Sequence, residues 1–130
     1  MAGEYGYTGD LTTNFSRLEF ACKCGCGFDT IDYAQLVELQ TIRTLSNGKI
    51  IITSGCRCVN YNEWIDGAPK SQHLIGRATD IISEVLSPKQ LFDLLNTLKD
   101  GKGGLILYDD FVHTDSRTIP YRDIRTRDKL

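Results

Sequence analysis

The chain contains two histidines, His73 and His113. His73 stands in "SQHLIGRATD", where Asp80 follows it after six intervening residues, across Gly76. Two neutral imidazoles and one carboxylate make a two-nitrogen, one-oxygen set that suits zinc. Such a set leaves a divalent ion with net positive charge and a fourth position open. Structural zinc sites normally close with four protein ligands, often thiolates, so this set points to catalysis. Gly76 would let the backbone turn between His73 and Asp80, and His113 would have to arrive from another element. A hydrogen-bonding surface cluster is the competing reading of the same three residues.

The cysteines offer a second possible chemistry. There are five of them, an odd number, so at least one thiol stays free unless chains are cross-linked. Cys22, Cys24 and Cys26 crowd into "CKCGCG", and Cys56 and Cys58 flank Arg57 in "SGCRC". Structural zinc hooks are usually spaced C-x2-C, whereas all these spacings are C-x-C, which argues against a cysteine-bound metal or a redox motif. The expectation is a small-residue loop whose thiols are partly buried or form one bridge between the clusters.

Several elements must position these groups. An extended arm over residues 1–13 leads to "NFSRLEFAC", where Phe15, Leu18 and Phe20 can anchor on a core. In "FDTIDYAQLVELQTIRTLSNGK", Leu36, Leu39, Ile42 and Leu45 recur every three residues and Val37 widens the stripe, giving an amphipathic helix. Asp29 or Thr30 can cap it, and Asn47-Gly48 stops it. "KIIITS" reads as a buried strand. From Gly55 to Gln72 the Asn, Gly, Pro and Ser punctuation reads as a long loop, and such a loop in a small domain is commonly functional. "RATDII" is a strand that puts Ala78, Asp80 and Ile82 on one face. Ser87, Pro88 and Gln90 form a helix start with a capping box. In "GGLILYDDFVHTDSR" two apolar runs meet at Asp109-Asp110, a hairpin whose second strand points Phe111, His113 and Asp115 to one side. The fold expected is α+β: one domain with a small antiparallel sheet, two main helices and a long active-site loop.

With 130 residues, formal net charge −2 and no basic excess, the chain gives no sign of a nucleic-acid surface. "YRDIRTRDKL" alternates both charges and reads as part of a solvated polar tail over 118–130. No run is long enough to span a bilayer, and the N-terminal residues lack a secretion signal. A monomer made in the cytoplasm, and delivered later to any target outside it, is expected.

The linked motifs "SGCRC", "YN", "GAPKSQHLIGRATDI" and "FVHTD" resemble the zinc D-Ala-D-Ala carboxypeptidase and peptidoglycan endopeptidase family. That family includes vancomycin-resistance D,D-carboxypeptidases and phage endolysins, and its metal site is similar to that of the Hedgehog signalling domain. The small phage and prophage members look closest. Its pattern Ser-x-His-x6-Asp with a distant histidine is matched by Ser71, His73, Asp80 and His113, and its "SG-x-R" by Ser54, Gly55 and Arg57.

The resemblance implies a zinc hydrolase of peptidoglycan stem peptides, with His73, Asp80 and His113 as ligands. It also implies that Arg57 stabilises the developing oxyanion or holds a substrate carbonyl, although an arginine that only pins the loop is the plainer alternative. Many relatives place a glutamate three residues before the last histidine. Here that place holds Asp110, the favoured proton acceptor; Asp115, on the same strand face as His113, competes for that role or orients His113 instead, and Asp109 is a third choice. Ser71 and Gln72 would hydrogen-bond substrate or cap the turn. Trp64, Tyr61 and Tyr108 would line the cleft or belong to the core. Aspartate in place of the family's glutamate leaves open a non-catalytic zinc module that binds cell wall or serves in a virion.

Overall fold

The computed structural model describes residues 10–127. Most of the expected extended arm, and residues 128–130, lie outside the described residues. The strands are β1 (Ile50–Ser54), β2 (Ala78–Ser83), β3 (Gly104–Tyr108), β4 (Val112–Asp115) and β5 (Tyr121–Arg125). They form one sheet in the order β1-β2-β4-β3-β5. The first four are antiparallel neighbours, and β5 runs parallel to β3. The helices are α1 (Tyr33–Ser46), α2 (Val59–Trp64) and α3 (Pro88–Lys99). The fold is α+β.

Period-two alternation gives the sheet two different faces. Ile52, Ile81, Val112, Leu105 and Leu107 are buried with Leu36, Leu39 and Ile42 of α1 and Leu91 and Leu95 of α3. Each such fully buried side chain stabilises the fold by roughly 1.5–3 kcal/mol. The opposite face carries Asp80, His113 and Ile106, which are in register across β2, β4 and β3.

Several sequence expectations need correction. The sheet is mixed, because part of the polar tail forms β5. The long loop holds a third helix, α2, whose start is capped by Cys58 Sγ accepting from the Tyr61 N–H. The apolar stripe of α1 ends with Ile42, and Leu45 is 60% exposed. A strict three-residue repeat drifts by about 60° per step on a helix with about 3.6 residues per turn, so by Leu45 the side chain has left the core face. Asp32, not Asp29 or Thr30, stands at the helix N-cap; its carboxylate accepts from Ser116 Oγ. Leu18 points to solvent, while Phe15 and Phe20 are buried.

Other local rules hold. Asn47 ends α1 in the left-handed conformation, and α3 opens with the capping box of Ser87 and Gln90 around Pro88. No helix among the described residues is long and apolar enough to cross a membrane.

Candidate metal centre

Each of the three expected ligands comes from a different kind of local structure. His73 lies in a 3-10 turn, Gln72–Ile75, whose N-cap Ser71 accepts the His73 N–H through Oγ. Gly76 ends that turn at φ +72°, and a Cβ there would sit 2.7 Å from the Thr30 carbonyl oxygen. Only glycine combines that backbone with that approach. The chain can then enter β2 at once and present Asp80, which pairs directly with His113 on β4.

The three side chains are buried, and their potential ligand atoms lie within 4.8 Å of one another. Asp80 Oδ1 is 3.2 Å from His73 Nε2 and 3.0 Å from His113 Nδ1. A tetrahedral zinc ion with bonds of about 2.0–2.1 Å separates its ligand atoms by roughly 3.3 Å, so the triad is already at near-ligand spacing. His73 Nδ1 is 2.6 Å from the Gly55 carbonyl oxygen and donates to it. That commitment leaves Nε2, 3.2 Å from Asp80 Oδ1, as the ring nitrogen a metal would take.

The far nitrogen of His113 is equally committed. Its Nε2 lies 2.7 Å from Asp115 Oδ2, which fixes the N–H on that side and leaves Nδ1 for a metal. Asp115 is wholly buried and also accepts from Arg117 through Nε, Nη2 and the backbone N–H. Burial alone would raise the Asp115 pKa, but the bonds from His113 and Arg117 outweigh it and hold the carboxyl well below the usual carboxylate range. Asp80 behaves likewise: burial opposes its charge, and His113 and His73 more than compensate. For His113, burial works against the cation, yet Asp115 and Asp80 raise its pKa above the ordinary value. The metal-free site therefore favours an imidazolium between two carboxylates.

Arg57 is tied to the site through Asp80. Its Nη2 donates to Asp80 Oδ2 at 3.2 Å, Nη1 to Asn62 Oδ1 at 3.2 Å and Nε to Ser54 Oγ at 3.2 Å. The guanidinium thus holds the outer carboxylate oxygen and turns Oδ1 towards the imidazoles.

A family profile described as Peptidase M15 matches residues 13–115. The chain belongs to that family. No curated protein sequence gives a significant match. The M15 assignment makes the chain a metallopeptidase by family, and the buried imidazole–carboxylate triad fits the metal such a peptidase requires.

The M15 centre forms the floor of a cleft of about 490 Å³. Ser71, Gln72, Arg57 and Tyr108 line it. Gln72 Oε1 is buried without a hydrogen-bond partner among the described residues. Trp64 and Tyr61 stack on each other and line a separate groove beside the cysteines, with Trp64 82% exposed. Asp110 lies exposed in the β3–β4 turn and is not among the cleft-lining residues, whereas Asp66 is.

Among the cleft residues that went unnoticed in the sequence are Arg117, Tyr121 and Arg125. These three lie beyond the matched segment. Tyr121 and Arg125 alternate onto the site face of β5, opposite Gly104 and Tyr108. Arg125 donates to the hydroxyls of Tyr108 and Tyr121, and Arg117 stacks on the Tyr121 ring. The signal available was the alternation of "YRDIR", hidden by its polarity.

Proposed function

We propose that this M15 protein is a zinc-dependent hydrolase of peptide bonds in peptidoglycan stem peptides or their cross-links, acting as a D-Ala-D-Ala-type carboxypeptidase or endopeptidase. The observation that carries the reading is the buried His73–Asp80–His113 triad opening into a cleft whose walls include Arg57, Lys70, Arg117 and Arg125. Cationic walls favour a peptide carrying free carboxylates, as stem peptides do. The small phage members that the sequence resembles support a role in lysis or in a virion.

His73 Nε2, Asp80 Oδ1 and His113 Nδ1 would hold the ion. When bound, zinc supplies a Lewis acid that polarises a carbonyl and brings the pKa of water to about 7. The protein's own groups do the rest. Arg57 fixes the Asp80 carboxylate, and Asp115 keeps the His113 proton on Nε2. Gln72 Oε1, without a hydrogen-bond partner among the described residues, accepts a substrate N–H, and Ser71 holds the turn that presents both Gln72 and His73. Asp110, by its place three residues before His113, is the proposed proton acceptor; Asp66, which lines the cleft, is the second candidate. Substitution of each aspartate by alanine separates them, since loss of turnover should follow only the group that moves the proton.

The deciding experiment incubates purified protein with intact peptidoglycan, with chelator and then with zinc restored, and follows fragments by mass spectrometry. Zinc-dependent release of D-alanine identifies a carboxypeptidase, and loss of cross-linked dimers an endopeptidase. A second reading, a non-catalytic zinc module binding cell wall or serving in a virion, is favoured by the exposed position of Asp110 outside the cleft. Retention on peptidoglycan without any cleavage would establish it instead.

A further inference from the structure

The sequence spacing of the cysteines argues against a metal, but the folded loop reverses that argument. The Cys22 N–H donates to the Phe28 carbonyl and the Gly25 N–H to the Cys22 carbonyl, so residues 22–28 curl back on themselves. Gly25 and Gly27 take φ of +82° and +93°, which permits the curl. Cys22, Cys24 and Cys26 are thereby gathered on one side, and Cys58, at the start of α2, faces them. The four sulfurs lie within 4.8 Å of one another. Cys22 Sγ is 3.5 Å from Cys24 Sγ, and Cys24 Sγ is 3.7 Å from Cys58 Sγ.

Those separations discriminate between two chemistries. A disulfide needs sulfurs at about 2.05 Å. Four thiolates at about 2.3 Å from a tetrahedral zinc ion stand roughly 3.8 Å apart. Backbone N–H groups also aim at the sulfurs: Cys58 N–H at Cys22 Sγ and Tyr61 N–H at Cys58 Sγ, both at 3.4 Å. Such donors leave the sulfurs free to bind a metal while fixing where they point.

The fifth cysteine is accounted for separately. Cys56 is buried and its thiol donates to the carbonyls of Phe20 and Phe28. It braces the loop from beneath and contributes no ligand.

We propose that Cys22, Cys24, Cys26 and Cys58 bind a second zinc ion in a closed four-thiolate site. Each thiol gives its proton to solvent as its sulfur–zinc bond forms, and no electrons are transferred. All four positions are filled by protein, so the site is structural. The groove beside it, with Trp64 and Tyr61, shares no lining residue with the cleft over His73. Its effect on that cleft runs through the chain: Cys58 follows Arg57, the residue that holds Asp80. The proposal stands whether or not the His73 site is catalytic.

The test uses the full chain, reduced and freed of metal, titrated with cobalt(II). In a His73→Ala, His113→Ala double variant the protein should still take up one equivalent, with thiolate-to-cobalt charge-transfer absorption and the strong visible bands of tetrahedral cobalt. Zinc should bleach both stoichiometrically. Cys24→Ser combined with Cys26→Ser, two exposed positions, should abolish the charge-transfer absorption while leaving binding at the histidine site. Independently of any variant, zinc should protect Cys22, Cys24, Cys26 and Cys58 of the wild-type chain from alkylation relative to chelator. The proposal is overturned by absent charge-transfer absorption in the folded double variant, by alkylation rates indifferent to zinc, or by a mass lacking two hydrogens after purification.

Discussion

Replacing Asp115 by asparagine changes one atom of a buried contact and should weaken metal binding at a site Asp115 does not itself ligate. In the native structure its Oδ2 sits 2.7 Å from His113 Nε2 and its carboxylate takes three donors from Arg117. Asparagine keeps one acceptor oxygen and substitutes an N–H2 for the other. With the oxygen turned to Arg117, the amide donates to Nε2, and His113 must carry its proton on Nδ1, the nitrogen the metal needs. With the oxygen turned to His113, the N–H2 faces the guanidinium and two donors oppose each other. Loss of such an orienting partner typically costs 10–100-fold in metal affinity, or about 1.4–2.7 kcal/mol. The assay is competition against a chromophoric chelator, carried out in protein already bearing Cys24→Ser and Cys26→Ser so that only the imidazole–carboxylate site is read. An unchanged zinc affinity in a D115N protein with native circular dichroism would refute the tautomer argument.

Three further outcomes are expected. Gly104→Ala should lower both Tm and zinc affinity, because the added Cβ would sit 2.3–2.4 Å from the Asp115 carboxylate oxygens; overpacking of this kind costs roughly 1–3 kcal/mol, and a melt indistinguishable from the parent would contradict the register described for β3. Arg57→Ala should release Asp80 Oδ2 and raise the zinc dissociation constant, while Arg57→Lys, lacking the planar fork, should rescue only part of it; full rescue would reduce Arg57 to a point charge. In chelator, stability should be greatest between about pH 4 and about pH 6.5. The lowered Asp80 and Asp115 pKa values stabilise above the unfolded carboxylate range and that contribution is lost on acidification, whereas the raised His113 pKa stabilises below the unfolded imidazole value and is lost as pH rises through the folded one. Zinc should reverse the alkaline decline, since binding requires His113 Nδ1 to give up its proton. A flat stability profile in chelator would count against the imidazolium.

The clustering of His73, Asp80 and His113 was legible because its chemistry is local in type: an imidazole–carboxylate set needs particular donors, and the chain has two imidazoles to offer. The α3 start was equally legible, since Ser87, Pro88 and Gln90 each satisfy a separate requirement of a helix N-terminus. β5 was not, because Tyr121 and Arg125 line the cleft, Asp123 shares their face and Arg122 points to the other side, so no apolar alternation marks a strand. What holds it is the ladder with β3 and its own side-chain ties, such as Arg125 to Asp123. The six-residue α2 is too short to display a helical period. Polar residues on the core side of α1 hid a further tie: Glu38 pairs with the buried Lys99 of α3, and Gln35 accepts from Thr79. A hydrophobic stripe read along one helix cannot show that its neighbour supplies the matching charge.

The cross-strand pairing of Asp80 with His113 also bears on the order of assembly. His73 and Asp80 are neighbours along the chain and can meet early, but a complete site waits for the β3–β4 hairpin to dock on β2. A metal ion that needs all three side chains gains its full affinity only after that last docking event. It would therefore act as a latch on the finished sheet, lengthening the lifetime of the folded protein while leaving the rate of folding little changed.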